Sequence, residues 1–249
     1  PHHPELTGRN VLSRPRLLAD VAAERGVDPE ALASRVDLLR ARLFEARERR
    51  VHPSRDDKVL ASWNGLALSA FAEAARLLDE PRYFEAARGI AACLRERMWD
   101  GARLRHVYAA GTAKVDGLLE DYANVGLGAL DLYRATGDLS LVQWAARLLE
   151  VAIERFHDDA QGGCFDAAAD AEDLILRQKS FFDAPTPSGN GAIALLAIAL
   201  GRLLGRAAWE SLGTEVIALV AEQLERAPTG FGATLQALTR SEEHTSELQ

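Results

Sequence analysis

Cysteine is almost missing: Cys93 and Cys164 are the only two in 249 residues. They form no C-x-x-C pair, which excludes a dithiol redox motif or a zinc clip. They read as two reduced, packed thiols of a cytoplasmic protein. Long apolar runs are missing too. None approaches the roughly 18 residues that a membrane span requires, and the nearest, Ala192 to Leu200, is short and flanked by glycine. Basic residues are outnumbered by acids, 29 to 37, for a net charge of −8. That balance excludes nucleic acid as a partner, because phosphate binding needs clustered Lys and Arg. The one Arg-rich stretch, Arg40 to Arg50, is broken by Glu45 and Glu48 and reads as a solvated helix face. There is no H-x-x-x-H pair and no Gly-rich phosphate loop, so no metal or cofactor is expected. The chain opens Pro1-His2-His3-Pro4 without Met or a secretory leader and reads as an internal cut.

What is present is Ala and Leu, within a 48% apolar composition that favours helix. Residues 1–28 read as a connector with a helical turn or two near Leu17 to Arg25. Asp28-Pro29-Glu30 opens a helix with a cap, a proline at the first position and an acid in the first turn. From there the pattern alternates. The segments 58–78, 121–136 and 188–204 are apolar nearly all round and should be buried. The segments 81–99, 139–156 and 206–226 are amphipathic and should lie outside. Residues 100–115 suggest a short hairpin, and 157–179 a loop and hairpin turning at Gly162-Gly163. A last helix starts near Phe231. Self-similarity at roughly 60 residues means repeated helical hairpins. The fold class expected is all-α: a partial (α/α)6 toroid over residues 29–239, with short β-hairpin insertions. A plain α-solenoid is the alternative. Residues 240–249 resemble the translation of a sequencing adapter and are set apart as a non-native tail.

Three polar motifs stand at the starts of the apolar helices. They should gather at one mouth of the ring. Arg55-Asp56-Asp57-Lys58 leads into Trp63-Asn64, Glu120-Asp121-Tyr122 opens the second helix, and Pro185 to Asn190 opens the third. Helix-initial acids are favoured by the dipole, so capping accounts for some of them. It does not account for the flanking Arg55 and Lys58, nor for Asn64 on a buried helix. Paired carboxylates also divide acid and base roles when their environments differ. Asp57, Glu120, Asp121 and Asp183 are therefore the candidate acids. Trp63 and Tyr122 are candidate stacking platforms, and Asn64, Thr186, Ser188 and Asn190 candidate hydrogen-bonding groups. His106, in the inter-helix hairpin, could face the mouth, but a solvated surface position is the preferred reading.

Together, Arg55 to Lys58, Ser62-Trp63-Asn64-Gly65, Gly117 to Ala123, Gly162 to Asp166 and Thr186 to Asn190 resemble the helical part of the spermatogenesis-associated thioredoxin-domain family. The resemblance runs from about Gly8 to Thr239. It implies a six-hairpin toroid like those of glycosidases and N-acylglucosamine 2-epimerases, preceded in the parent by a thioredoxin-like domain that this chain lacks. The expected ligand is a carbohydrate-like small molecule. The alternative is a non-catalytic scaffold that presents clients to the thioredoxin-like domain.

Overall fold

The computed structural model describes residues 13–171 and 175–242. It divides into two compact units, the first ending at Asp56 and the second beginning at Asp57. The first holds α1 (Leu18–Arg25) and α2 (Pro29–Glu48). α2 starts where its sequence dictates. The Asp28 carboxylate accepts a 2.8 Å hydrogen bond from the Ala31 N–H, and Pro29 stands in the first turn, where its missing N–H costs nothing. Leu39, Leu43 and Phe44 of its apolar stripe are exposed.

The second unit runs β1 (Val59–Leu60), α3 (Ala61–Leu78), α4 (Pro81–Cys93), β2 (Arg105–Ala109), β3 (Thr112–Asp116), α5 (Leu119–Thr136), α6 (Leu139–Phe156), α7 (Gly189–Leu204), α8 (Ala207–Leu219), α9 (Ala221–Arg226) and α10 (Gly232–Glu242). Each of α3, α5 and α7 ends on a left-handed residue (Asp79, Gly137 and Gly205), and an outer helix follows directly. α3 packs on α4 and α5, α5 on α6 and α7, and α7 on α8 and α10. This is a partial α/α toroid, with α3, α5, α7 and α10 as successive inner helices. α7 buries Gly189 to Ala194 and Leu196 to Gly201, as its uninterrupted apolar run requires. α6 buries one stripe, from Leu141 to Phe156, and keeps Arg147, Glu150 and Glu154 outside. α3 and α5 cross where neither carries a side chain. A Cβ on Gly65 would lie 2.5 Å from the Asn124 carbonyl carbon, and one on Gly128 2.7 Å from the Gly65 oxygen.

Several boundaries differ from expectation. α3 begins at Ala61, because Val59 and Leu60 are extended and pair antiparallel with Tyr108 and Val107. α3 is also not buried all round: α4 and α5 cover two of its sides, and Trp63, Leu77 and Leu78 remain exposed. The expected 206–226 helix breaks at Val220 into α8 and α9. The hairpin expected within 157–179 reduces, among the described residues, to a single bridge between His157 and Cys164. α10 continues past Thr239 to Glu242, and Arg202 donates to the carbonyls of Arg240 and Ser241. Residues 1–12 of the connector and 243–249 of the tail lie outside the described residues.

Candidate functional site

The site is built where the inner helices begin. Leu60 supplies no side-chain cap to α3. The cap comes from another helix: Asp121 Oδ1 accepts a 2.8 Å hydrogen bond from the Ser62 N–H. Asp121 Oδ2 reaches back to the Leu118 N–H at 2.8 Å, which is the capping-box bond of α5 itself. The same oxygen lies 2.8 Å from Nδ1 of His106 on β2. A carboxylate only accepts here, so Nδ1 carries the hydrogen. Asp121 is 0% exposed and joins three elements. Its hydrogen bond holds the His106 imidazole above the ordinary histidine range, against partial burial, and the charge of Glu120 adds to the effect.

Glu120, one residue earlier, points elsewhere. It is half-buried and makes no hydrogen bond or ion pair among the described residues. Burial pushes its carboxyl above the usual carboxylate range, helped by the charges of Asp121 and Asp166 and opposed by His106. It lines a cleft of about 330 Å³ together with Asp166, Ser180, Phe182, Thr186 and Ser188. Asp166 is already engaged through both oxygens, by the Ser180 N–H at 3.0 Å and the Ser180 hydroxyl at 2.6 Å. Phe182 is 62% exposed, and its ring stands edge-on to Phe231.

The third motif braces this cleft more than it offers donors to it. Asn190 is 0% exposed. Its Oδ1 accepts from the Cys164 N–H at 2.8 Å, and its Nδ2 donates to the carbonyls of Cys164 and Ser180. Ser188 caps α7 by accepting from the Gly191 N–H. Asp183 accepts from the Ser188 N–H and, with its other oxygen, from the Ala233 N–H in the first turn of α10. Gly189 lets α7 approach α5, for a Cβ there would meet the Leu119 side chain at 3.0 Å.

The structure thus brings Glu120, Thr186 and Ser188 to one cleft, with Asp121, Asp183 and Asn190 tied into the walls around it. Tyr122 lies in the core. Its ring packs edge-on against Trp99 and tilted against Phe156, and its hydroxyl accepts from the Leu104 N–H at 2.9 Å. Asn64 donates to the Leu60 carbonyl at 2.8 Å. Trp63 is exposed on the first turn of α3, and neither it nor Asn64 lines the cleft. Asp57 and Lys58 are exposed in the segment before β1, and Arg55 belongs to the first compact unit. Two residues of the site were not among the candidates chosen from sequence, although His106 had been weighed for the mouth. Asp166 stood inside a quoted motif without a role. His106 had a usable signal: strand alternation puts it on the same face as Leu104, which is fully buried. Among the described residues no group of three His, Cys, Asp or Glu side chains is placed to hold a metal ion, and no helix is long and apolar enough to cross a membrane.

No family model matches the chain. Spermatogenesis-associated protein 20 of Rattus norvegicus is 32% identical over 255 aligned residues, which cover 98% of this chain and 32% of that protein. The chain therefore spans about a third of the curated relatives it matches. Among solved structures, a cellobiose 2-epimerase from Bacillus thermoamylovorans B4167 superposes with a TM-score of 0.58 at 15% identity, covering 70% of this chain and 47% of that one. An inactive double-aspartate variant of an alpha-1,6-mannanase from Salegentibacter sp. HEL1_6, in complex with alpha-1,6-mannotetrose, superposes at 0.54 with 18% identity, covering 82% and 57%. At these identities the likeness establishes the toroid fold alone.

Proposed function

The chain is homologous over nearly its whole length to spermatogenesis-associated protein 20, of which it spans about a third, and we propose that its toroid binds a carbohydrate-like ligand in the Glu120 cleft and acts on it by proton transfer. One observation carries this reading. Glu120 is a half-buried acid with its pKa raised, no hydrogen-bond partner among the described residues, and an open cleft in front of it. A carboxyl shifted towards its neutral form is the better placed to protonate a leaving oxygen. Phe182 offers an apolar face for a sugar ring, and Thr186 and Ser188 offer hydroxyls. The fold likeness to enzymes whose names state carbohydrate substrates is in keeping with this.

Redox chemistry has no place in the proposal. Cys93 and Cys164 are free thiols, and burial pushes the Cys164 thiol up to about 12. Free thiols suit a reducing compartment such as the cytoplasm. The scaffold reading keeps one observation on its side. Asp121, Asp183, Ser188 and Asn190 are all occupied in bracing the mouth, as a client-presenting frame next to a thioredoxin-like domain in the parent would also need.

Binding of cellobiose and alpha-1,6-mannotriose by isothermal titration calorimetry separates the two. The expected result is measurable affinity for at least one sugar, weakened by Phe182→Ala, with Glu120→Gln keeping the affinity and losing turnover. No binding to either sugar, or affinity indifferent to Phe182→Ala, removes the cleft as a sugar site.

A further inference from the structure

The cleft holds one group suited to give a proton and, in its lining, none suited to take one. Asp166 has both oxygens committed to Ser180. Asp121 is 0% exposed and already accepts three hydrogen bonds, so it cannot touch a ligand. What Asp121 does present is His106. Nδ1 of that ring is held at 2.8 Å by the buried carboxylate, the side chain is 26% exposed, and Nε2 makes no hydrogen bond among the described residues. With Nδ1–H fixed as donor, the neutral ring keeps its lone pair on Nε2. His106 stands behind the cleft lining rather than in it: the Asp121 oxygen that holds its Nδ1 also accepts from the Leu118 N–H, and Leu118 lines the cleft beside Glu120. The charged groups acting on His106 are Asp121 and Glu120, both from α5.

We propose that His106 is the proton-accepting residue of the site and that Asp121 is its positioning residue. This rests on the cleft reading above and adds the second half of its chemistry. On a glycosidic bond held in the cleft, Nε2 takes a proton from water as the water oxygen bonds to the anomeric carbon. The anomeric C–O bond breaks, its electron pair goes to the leaving oxygen, and that oxygen takes the proton of Glu120. Histidinium and carboxylate then return to their starting forms by exchanging one proton through solvent. A single displacement of this kind inverts the anomeric centre. The division of roles follows from the surroundings: Glu120 is biased towards its neutral acid form, while the buried carboxylate stabilises the imidazolium that forms on His106.

The test compares wild type, His106→Gln and Asp121→Asn on cellobiose, alpha-1,6-mannotriose and 4-nitrophenyl glycosides, with sugar binding measured by calorimetry on the same samples. His106→Gln is expected to lose at least ~100-fold in kcat with KM changed less than about threefold, and to lose the acid limb of the kcat/KM profile. Nitrogen-15 NMR should show His106 with hydrogen on Nδ1, titrating above 6.5, the value an unperturbed ring has. In Asp121→Asn that midpoint should fall, and the acid limb should move with it. If Asp121→Asn does not fold, the wild-type titration and the His106→Gln rates decide alone. Wild-type turnover in His106→Gln, a ring titrating at or below 6.5, or a wild-type chain that binds a sugar but turns none over each overturns the role of His106. The last of these leaves sugar binding standing. A chain that binds no probe overturns the cleft reading, and this inference with it.

Discussion

The starts of α5 and α7 look alike in sequence and are used differently. Both crowd polar residues into a first turn at the same end of the ring. At α7 the acid and the amide are spent, and Ser188 keeps only its hydroxyl hydrogen to give. Ser188 caps, Asn190 makes three hydrogen bonds, and Asp183 holds two helix starts. At α5 the spending stops one residue short. Asp121 takes the caps of α3 and α5 and the ring of His106, which leaves its neighbour Glu120 with none of that duty. The difference teaches that bracing and chemistry are divided between adjacent residues here. A side chain locked by three donors builds the mouth, and the one beside it is left to face a ligand.

The largest effect should come from the hub. Asp121→Ala strands two helix N-termini and a half-buried histidine, and should cost on the order of 3–5 kcal/mol in urea unfolding. A loss under about 1 kcal/mol would erase the contrast with Glu120. Asn190→Ala frees one backbone N–H and two carbonyls in a buried place, and should cost about 2–3 kcal/mol by the same measurement. If it costs nothing, α7 is not a brace. Tyr122→Phe removes the acceptor of the buried Leu104 N–H and should cost about 1–2 kcal/mol while leaving sugar affinity unchanged. A loss of sugar affinity would return Tyr122 to the mouth.

Glu120→Gln should have the smallest effect on folding, and a sign opposite to the rest. The pKa of Glu120 is raised in the fold, so folding favours its neutral form. That contribution is complete below about 4.5 and is lost as pH rises through the raised value. The glutamine variant should therefore be slightly the more stable above that window. His106 is also raised, but as a cation. Its contribution is complete below 6.5 and is lost as pH rises through its folded value, and His106→Gln should flatten that second decline in thermal melts taken across pH.

The ring was legible because periodicity is a local property. Apolar runs such as Ala192 to Leu200 and striped ones such as Leu139 to Phe156 announce inner and outer helices without any knowledge of their neighbours. The convergence of helix starts was legible for the same reason, since hairpins of similar length put like ends together. What did not show was the direction in which each polar side chain turns. Asp121 and Glu120 are adjacent acids at a helix start, and only the position of Ser62, 59 residues away, decides which of them is buried. Tyr122 read as a platform and lies in the core because Trp99 and Phe156 meet there, a contact with no trace in spacing. Val59 and Leu60 read as helix because a two-residue strand is too short to announce itself without its partner β2.

The first turn of α3 borrows its terminator from a residue that the ribosome delivers much later. Until Asp121 has been synthesised and docked, the Ser62 amide has no acceptor within its own hairpin. The α3–α4 pair therefore does not carry its own N-terminal cap, and a fragment ending before α5 would be one acceptor short at that end.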